Sequence, residues 1–485
     1  MISLIKNELI KIFHKKAIYV LGIITLVFAI LNIVIIKFVD NVDDLFANDQ
    51  YYQTLEDNLA SYDLKNTDEL KWYIQDKTDI ELYKAAKKYD TDSWQDVMFK
   101  NNAYSYIFCM NEAEYITKDN EKYDGCKKDY EALIEKLDNS SWQDFVLQDK
   151  KDAEEQLAQY EEQLKDDLTE SEKSSLDKEI QKLKYQIEGY DYRLKYEIPY
   201  DESDQSYLIN NYVNSAQTYL DYNKDENSYV NRKELLEKRS VEESFYVSKY
   251  KLENNIREKG TFAANASVIS EFSTPILFVI VVIVMVAGSI VSEEYNKGTI
   301  KQLLLRPYGR AKILFSKYCA SVVVFLLFML FYGVVSTITY GIASGFDTLV
   351  APNIIYNFST HSVMEMNLLL CILVHVAALL PEYLLLLTIA FFISTVLGNT
   401  ALSVTVTLLI YVFSSIINAI IVGYNVNILK YFPTLCWDFS EYLFGGIPSF
   451  KYASFGPSVV VCCVCYIILL VLSFIIFKRK NIKNQ

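Results

Sequence analysis

The 485-residue chain is 51% hydrophobic with a net charge of −14, but these averages hide a division. Residues 40–265 hold 30 of the 47 basic and 52 of the 61 acidic side chains, a net of −22, which leaves +8 on the remainder. An acidic, water-compatible stretch is thus inserted into a basic, apolar chain, which excludes a uniformly soluble domain and argues against a nucleic-acid partner. Three histidines, no CxxC and no Cys/His ligand spacing give no metal centre to expect.

In residues 1–16, Ile2, Ile5, Leu9 and Ile12 recur at helical spacing, with Lys6, Lys11 and Lys15 elsewhere on the wheel. This predicts a basic amphipathic helix able to lie along a membrane surface. A signal-peptide start is the competing reading. It is disfavoured because the apolar run 17–36 is too long for a signal core and no small-residue cleavage site follows. Residues 17–38 therefore read as a first membrane span.

Residues 39–265 read as a helical domain rich in tyrosine. In 145–195, Ala153, Leu157, Tyr160 and Leu164 step by helical intervals, as do Leu176, Ile180, Leu183, Ile187, Tyr190 and Leu194. Between them Thr169 and Glu172 fit a capping box, so an antiparallel coiled-coil hairpin is expected rather than one long helix. Ser93-Trp94-Gln95-Asp96 and Ser141-Trp142-Gln143-Asp144 echo each other as helix starts, with serine at the N-cap. A ligand-stacking role for the tryptophans is the lesser reading. Cys109 and Cys126 either pair, if this region is outside the cell, or stay free thiols.

Residues 266–485 form the rest of the membrane domain. Apolar runs at 274–291, 318–339, 366–394, 401–421 and 459–477 are each long enough to cross a bilayer as helices. The expected fold is an all-α membrane protein with six transmembrane helices plus a helical extracytoplasmic domain. With six spans both termini share a side. That side carries Lys6, Lys11, Lys15, Lys16, the turn 292–317 and Lys478, Arg479, Lys480 and Lys483, so the excess of positive charge places it in the cytoplasm. The localisation expected is the bacterial cell membrane.

The turn carries an ordered set, Glu294, Gly298, Thr299, Leu303, Leu304, Pro307 and Arg310, followed by Lys317. With the opening Leu4-Ile5-Lys6-Asn7-Glu8-Leu9 and the six-span layout, it resembles bacterial type-2 ABC exporter permeases across residues 1–38 and 266–485. The resemblance implies that 292–310 couples to a cytoplasmic ABC ATPase subunit. It implies also that Ile5, Glu8, Leu9 and Ile12 belong to an interface helix, and that a second permease copy or paralogue completes the path among membrane lipids. The large outer domain looks like the branch exporting hydrophobic or cationic, peptide-like or lipid-like substrates, with roles in peptide-antibiotic resistance and immunity. No GxxxxGK[ST] loop occurs, so this chain is not expected to be an enzyme, and ATP-Mg belongs to the partner subunit.

Gly298 allows a sharp break in the turn, Pro307 limits helix continuation and the leucines offer an apolar patch to a partner. Arg306, Arg310 and Lys312 are available to partner acids or lipid phosphates. Lys297, Lys301, Lys312 and Lys317 read as ordinary positive-side residues. Within the fourth span, Glu382 follows Pro381 and lies two turns from His375. It either contacts a cationic substrate or a proton, or caps backbone freed by the proline or pairs across helices; the structural reading is preferred. The alternative to transport is a membrane-anchored extracellular sensor or scaffold.

Overall fold

The computed structural model describes residues 1–27, 30–31, 49–222, 232–256, 276–300, 308–344, 346, 349, 352–424 and 426–480. The chain divides into two compact units. One comprises Met1–Ile36, Val230–Leu236 and Phe262–Gln485, the other Lys37–Tyr229 and Glu237–Thr261.

The first unit opens with α1 (Ile2–Phe13) and the apolar α2 (Lys16–Val27). The acidic unit holds α3 (Asp49–Leu59), α4 (Thr67–Ala86), α5 (Trp94–Glu112), α6 (Asn120–Asn139), α7 (Trp142–Gln163), α8 (Glu170–Tyr196), α9 (Asp204–Tyr222) and most of α10 (Arg232–Glu253). The chain then returns to the first unit with α11 (Ile276–Ile290), the single turn α12 (Ser292–Asn296) and α13 (Arg310–Ser344). After α13 come β1 (Pro352–Asn357), β2 (Ser362–Asn367), α14 (Leu368–Leu397), α15 (Thr400–Tyr424), short 3₁₀ turns and α16 (Phe455–Arg479).

Helix starts in the acidic unit follow local chemistry. Ser93 accepts from the Asp96 amide, and Ser141 and Thr169 form reciprocal capping boxes with Asp144 and Glu172. The Thr169 box starts α8 as a separate helix from α7. The two run antiparallel, with Lys150 bonded to Asp191 at 2.6 Å and Lys184 to Glu161 at 3.2 Å. Tyrosine forms much of one core. Tyr212 is fully buried among Tyr192, Ile209, Ala216 and Phe245, and its hydroxyl donates to Glu188 at 2.7 Å. Buried Arg193 is satisfied by Pro199 O, Ser206 and Asn210. Phe99, Ala103, Ile107, Leu137 and Phe145 make a second core, beside which a disulfide joins Cys109 of α5 to Cys126 of α6.

In the first unit, four described helices are long and apolar enough to cross a membrane: Arg310–Thr339, Leu368–Leu397, Thr400–Tyr424 and Phe455–Arg479. Lys16–Val27 and Val279–Ile290 are shorter apolar helices. Helix α11 packs against α13, α14 and α15, while α14 also packs against α16. Val279, Val284, Ala287, Leu314, Val324, Leu387 and Phe391 fill the core between them. A Cβ on Gly288 would lie 3.1 Å from Val404, so the small residue lets α11 and α15 approach closely.

One segment departs from an all-helical reading. Between α13 and α14, β1 and β2 pair antiparallel, Pro352 opposite Asn367 and Asn357 opposite Ser362. Asn353 to Tyr356 are all buried, so β1 shows none of the apolar–polar alternation that would mark a strand in the sequence.

Candidate functional site

Helix α11 stops at Ile290, and a break at Val291 re-aims the chain into α12. The break frees backbone groups at the helix end. The Ser292 amide donates to Ser394 Oγ of α14 at 3.0 Å, and the Ile290 carbonyl receives Lys317 Nζ of α13 at 3.2 Å. The new direction buries Glu294 and leaves Glu293 partly exposed.

Helix α1 lies against α13. Ile12 is buried, Ile5, Leu9 and Phe13 pack on the same core, and Glu8 is buried among them. Ile2 falls off this face and is 83% exposed; Leu4 is buried in its place.

Three elements thereby close a ring of four charges. Lys317 Nζ lies 2.7 Å from Glu8 and 3.0 Å from Glu294, and Lys11 Nζ lies 3.1 Å from Glu8 and 2.9 Å from Glu294. The Thr299 hydroxyl donates to the second Glu294 oxygen. Lys317 is 1% exposed, and its three N–H donors match Glu8, Glu294 and the Ile290 carbonyl. Two cations balance two anions, so the buried charges are compensated. Burial works to raise the Glu294 carboxyl, but Lys317, Thr299 and Lys11 outweigh it and hold it down to about 2. Burial likewise opposes the Lys11 charge, yet Glu294 and Glu8 raise it above its ordinary 10.5. Beside the ring, Lys15 pairs with Glu293 at 2.5 Å and donates to Ser289 at 3.2 Å.

Other expected residues are placed as follows. Gly298 adopts φ +68° with open space around its α-carbon, so its backbone conformation rather than a close neighbour calls for glycine. Leu303, Leu304 and Pro307, with Lys301 and Arg306, lie outside the described residues. Arg310 is exposed. One guanidinium nitrogen donates to the Lys478 and Lys480 carbonyls, 3.1 and 3.3 Å away, where the orphan carbonyls at the end of α16 attract a cation. Lys480 does the same for α14, donating to the Thr395 and Val396 carbonyls.

Lys317, the last residue of the ordered set, is not the ordinary positive-side residue that its charge suggests. It shares a face of α13 with Ile313, Leu314, Ser321 and Val324, all buried, whereas Lys312 and Phe315 point away. That helical stripe was present in the sequence; the positive-side pattern masked it. Lys11, too, reads in the sequence only as part of a basic face, and no local signal pairs it with Glu294.

Within α14, Glu382 is buried and His375 half-buried. Glu382 makes no hydrogen bond or ion pair with a described residue, so the expected cap or cross-helix pair is not formed there.

A family described as "Protein of unknown function (DUF2705)" matches residues 235–483. The chain is also 29% identical over 257 residues to "Uncharacterized protein YhcI" of Bacillus subtilis (strain 168), covering 52% of this chain and 81% of that protein. No solved structure matches.

Proposed function

Since the chain belongs to the DUF2705 family, whose description assigns no activity, we propose from its own residues that it is the membrane-spanning permease subunit of an ATP-driven ABC exporter. The observation that carries this reading is the four-charge ring. It binds α1 to the turn after α11, the two elements that the resemblance to type-2 exporter permeases assigns to ATPase docking, and ties both to the base of α13.

Such a ring suits force transmission. Moving α1, α12 or α13 alone would strip a buried charge of its partner, at a cost of ~3–5 kcal/mol. Displacement of the turn by a closing ATPase therefore carries all three elements together. In this reading α2 and α11 complete six spans, the termini and the ring are cytoplasmic, and ATP-Mg is bound and hydrolysed by the partner. The Cys109–Cys126 disulfide supports an extracellular acidic unit, since such bonds persist in oxidising surroundings. The paired α7 and α8 serve there as a coiled-coil hairpin, and a second copy or paralogue completes the translocation path. The substrate is a hydrophobic or cationic peptide-like or lipid-like molecule, and the role is export, including antibiotic resistance or immunity.

The test is purification of the tagged full-length chain from its host membrane after cross-linking. Recovery of a subunit bearing a phosphate-binding loop, whose ATP hydrolysis changes when the chain is present, supports the reading. If no such subunit is recovered, the disulfide-stapled unit favours the sensor or scaffold alternative.

A further inference from the structure

Helix α16 presents an apolar flank, along which Val460, Cys463, Val464, Ile467 and Val471 are exposed. Between this helix and α14 lies a cleft of about 540 Å³. Leu384 and Leu385 of α14, Val459, Cys463 and Ile467 of α16 and Phe439 of the preceding segment stand in its walls. Cys463 and Ile467 belong both to the walls and to the exposed flank, so the cleft opens sideways, towards the surroundings of the bundle.

No described side chain lining the cleft carries a charge. The hydroxyl on its walls, that of Tyr466, already accepts from the Tyr318 hydroxyl of α13 at 2.7 Å. The thiols of Cys462 and Cys463 act as small hydrophobes. The walls therefore offer apolar contact and little else, which disfavours an ion or a sugar and suits a hydrocarbon.

The cleft also has a direction. Val459 stands about one turn into α16, and the rise from there to Ile467 is about 12 Å. That is most of the ~15 Å of hydrocarbon in one leaflet and well short of two. At the Val459 end three rings cluster. Phe439 and Tyr442 each meet Phe455 edge-on, with centroids 5.4 and 5.8 Å apart, and the Tyr442 hydroxyl shares a hydrogen bond with Ser458 at 2.9 Å. Phe439 belongs to the ring cluster and to the cleft wall alike. Aromatic side chains gather at headgroup depth, whereas the Ile467 end lies at the middle of α16. An empty apolar cleft would forfeit dispersion contacts along its whole lining. In a bilayer, the material that meets this opening at this depth is lipid hydrocarbon.

We propose that the cleft between α14 and α16 seats one acyl chain of a membrane phospholipid, its ester end at the Phe439–Phe455 rings and its terminus at Ile467. The site rests on the membrane-embedded reading of the bundle and requires no ATPase.

The test uses the full-length chain in phospholipid nanodiscs doped with phosphatidylcholine that carries a diazirine on one acyl chain. Illumination, proteolysis and mass spectrometry then locate the adducts. With the diazirine near the chain terminus, adducts on Leu385, which is buried, are expected to exceed severalfold those on Val412, which is exposed on α15. With the diazirine near the ester, the adducts should move to Val459 and Phe439. Cys463→Phe, which fills the cleft, is expected to reduce Leu385 labelling severalfold and leave Val412 unchanged. Leu385 labelled no more than Val412, or labelled as in the wild type in a folded Cys463→Phe protein, overturns the proposal. So does an unlabelled Leu385 with Cys463 of two copies joined by mild oxidation, which would assign the cleft to a second copy. Should Cys463→Phe fail to fold, the ratio of Leu385 to Val412 labelling in the wild type decides. Because no ATPase takes part, failure here is separable from failure of the export reading.

Discussion

Lys317 is the residue on which the ring depends. Its two carboxylates are buried, and of the ring's cations only it is fully enclosed. Lys317→Met leaves Glu8 and Glu294 facing each other with Lys11 alone between them, and loss of a buried partner costs ~3–5 kcal/mol. A large fall in melting temperature of the detergent-solubilised protein is expected, with part recovered in Lys317→Arg. Glu294 gives a pH signature. Its folded value is depressed from 4.5 to about 2, so its stabilisation is fully present above 4.5 and is lost as pH falls through 2. The difference is on the order of 3 kcal/mol. Melting curves between pH 6 and pH 2 are expected to show this loss in the wild type and lack it in Glu294→Gln; identical slopes in the two would refute it. Glu294 was legible because it stands in an ordered motif. Its partners were not, since Glu8 lies 286 positions earlier in the chain and only the fold joins them.

At the scale of elements, local chemistry was the most readable. Ser93, Ser141 and Thr169 cap the helices that their spacing predicts, because a cap is a contact within one turn. Thr169→Ala is expected to cost ~1 kcal/mol, read as earlier thermal loss of helical signal. Gly298→Ala, which forces a Cβ into the left-handed region, is expected to cost ~1 kcal/mol in the helical unit. Reduction of the Cys109–Cys126 bond, which spans 17 positions, is expected to remove ~3 kcal/mol, checked by melting with and without reductant. Nothing in the cysteine spacing decided between a bond and free thiols; the juxtaposition of α5 and α6 does. The β1–β2 hairpin escaped the sequence for the opposite reason. Its pattern is set by packing against the turn at Ser440–Gly445, where Phe358 donates to the Phe444 carbonyl at 3.3 Å and a Cβ on Gly445 would collide with Ser359.

For the whole molecule, the charge division between an acidic stretch and a basic apolar remainder was visible in composition alone. What composition could not convey is how the apolar part is wired. At one end, Glu8, Lys11, Glu294 and Lys317 neutralise one another across three elements. Within α14, Glu382 is buried and makes no hydrogen bond or ion pair with a described residue. In the proposed exporter the ring is the input end of the machine. Disrupting it should uncouple this chain from ATP hydrolysis in the subunit that supplies it.

ATP hydrolysis by the co-purified subunit, with and without the full-length chain in nanodiscs, examines the coupling role directly. With the wild-type chain, hydrolysis should change severalfold. With folded Glu294→Gln, the subunit should still be captured, but its hydrolysis should no longer respond. An equal response with Glu294→Gln, or none with the wild type, would contradict coupling through this ring.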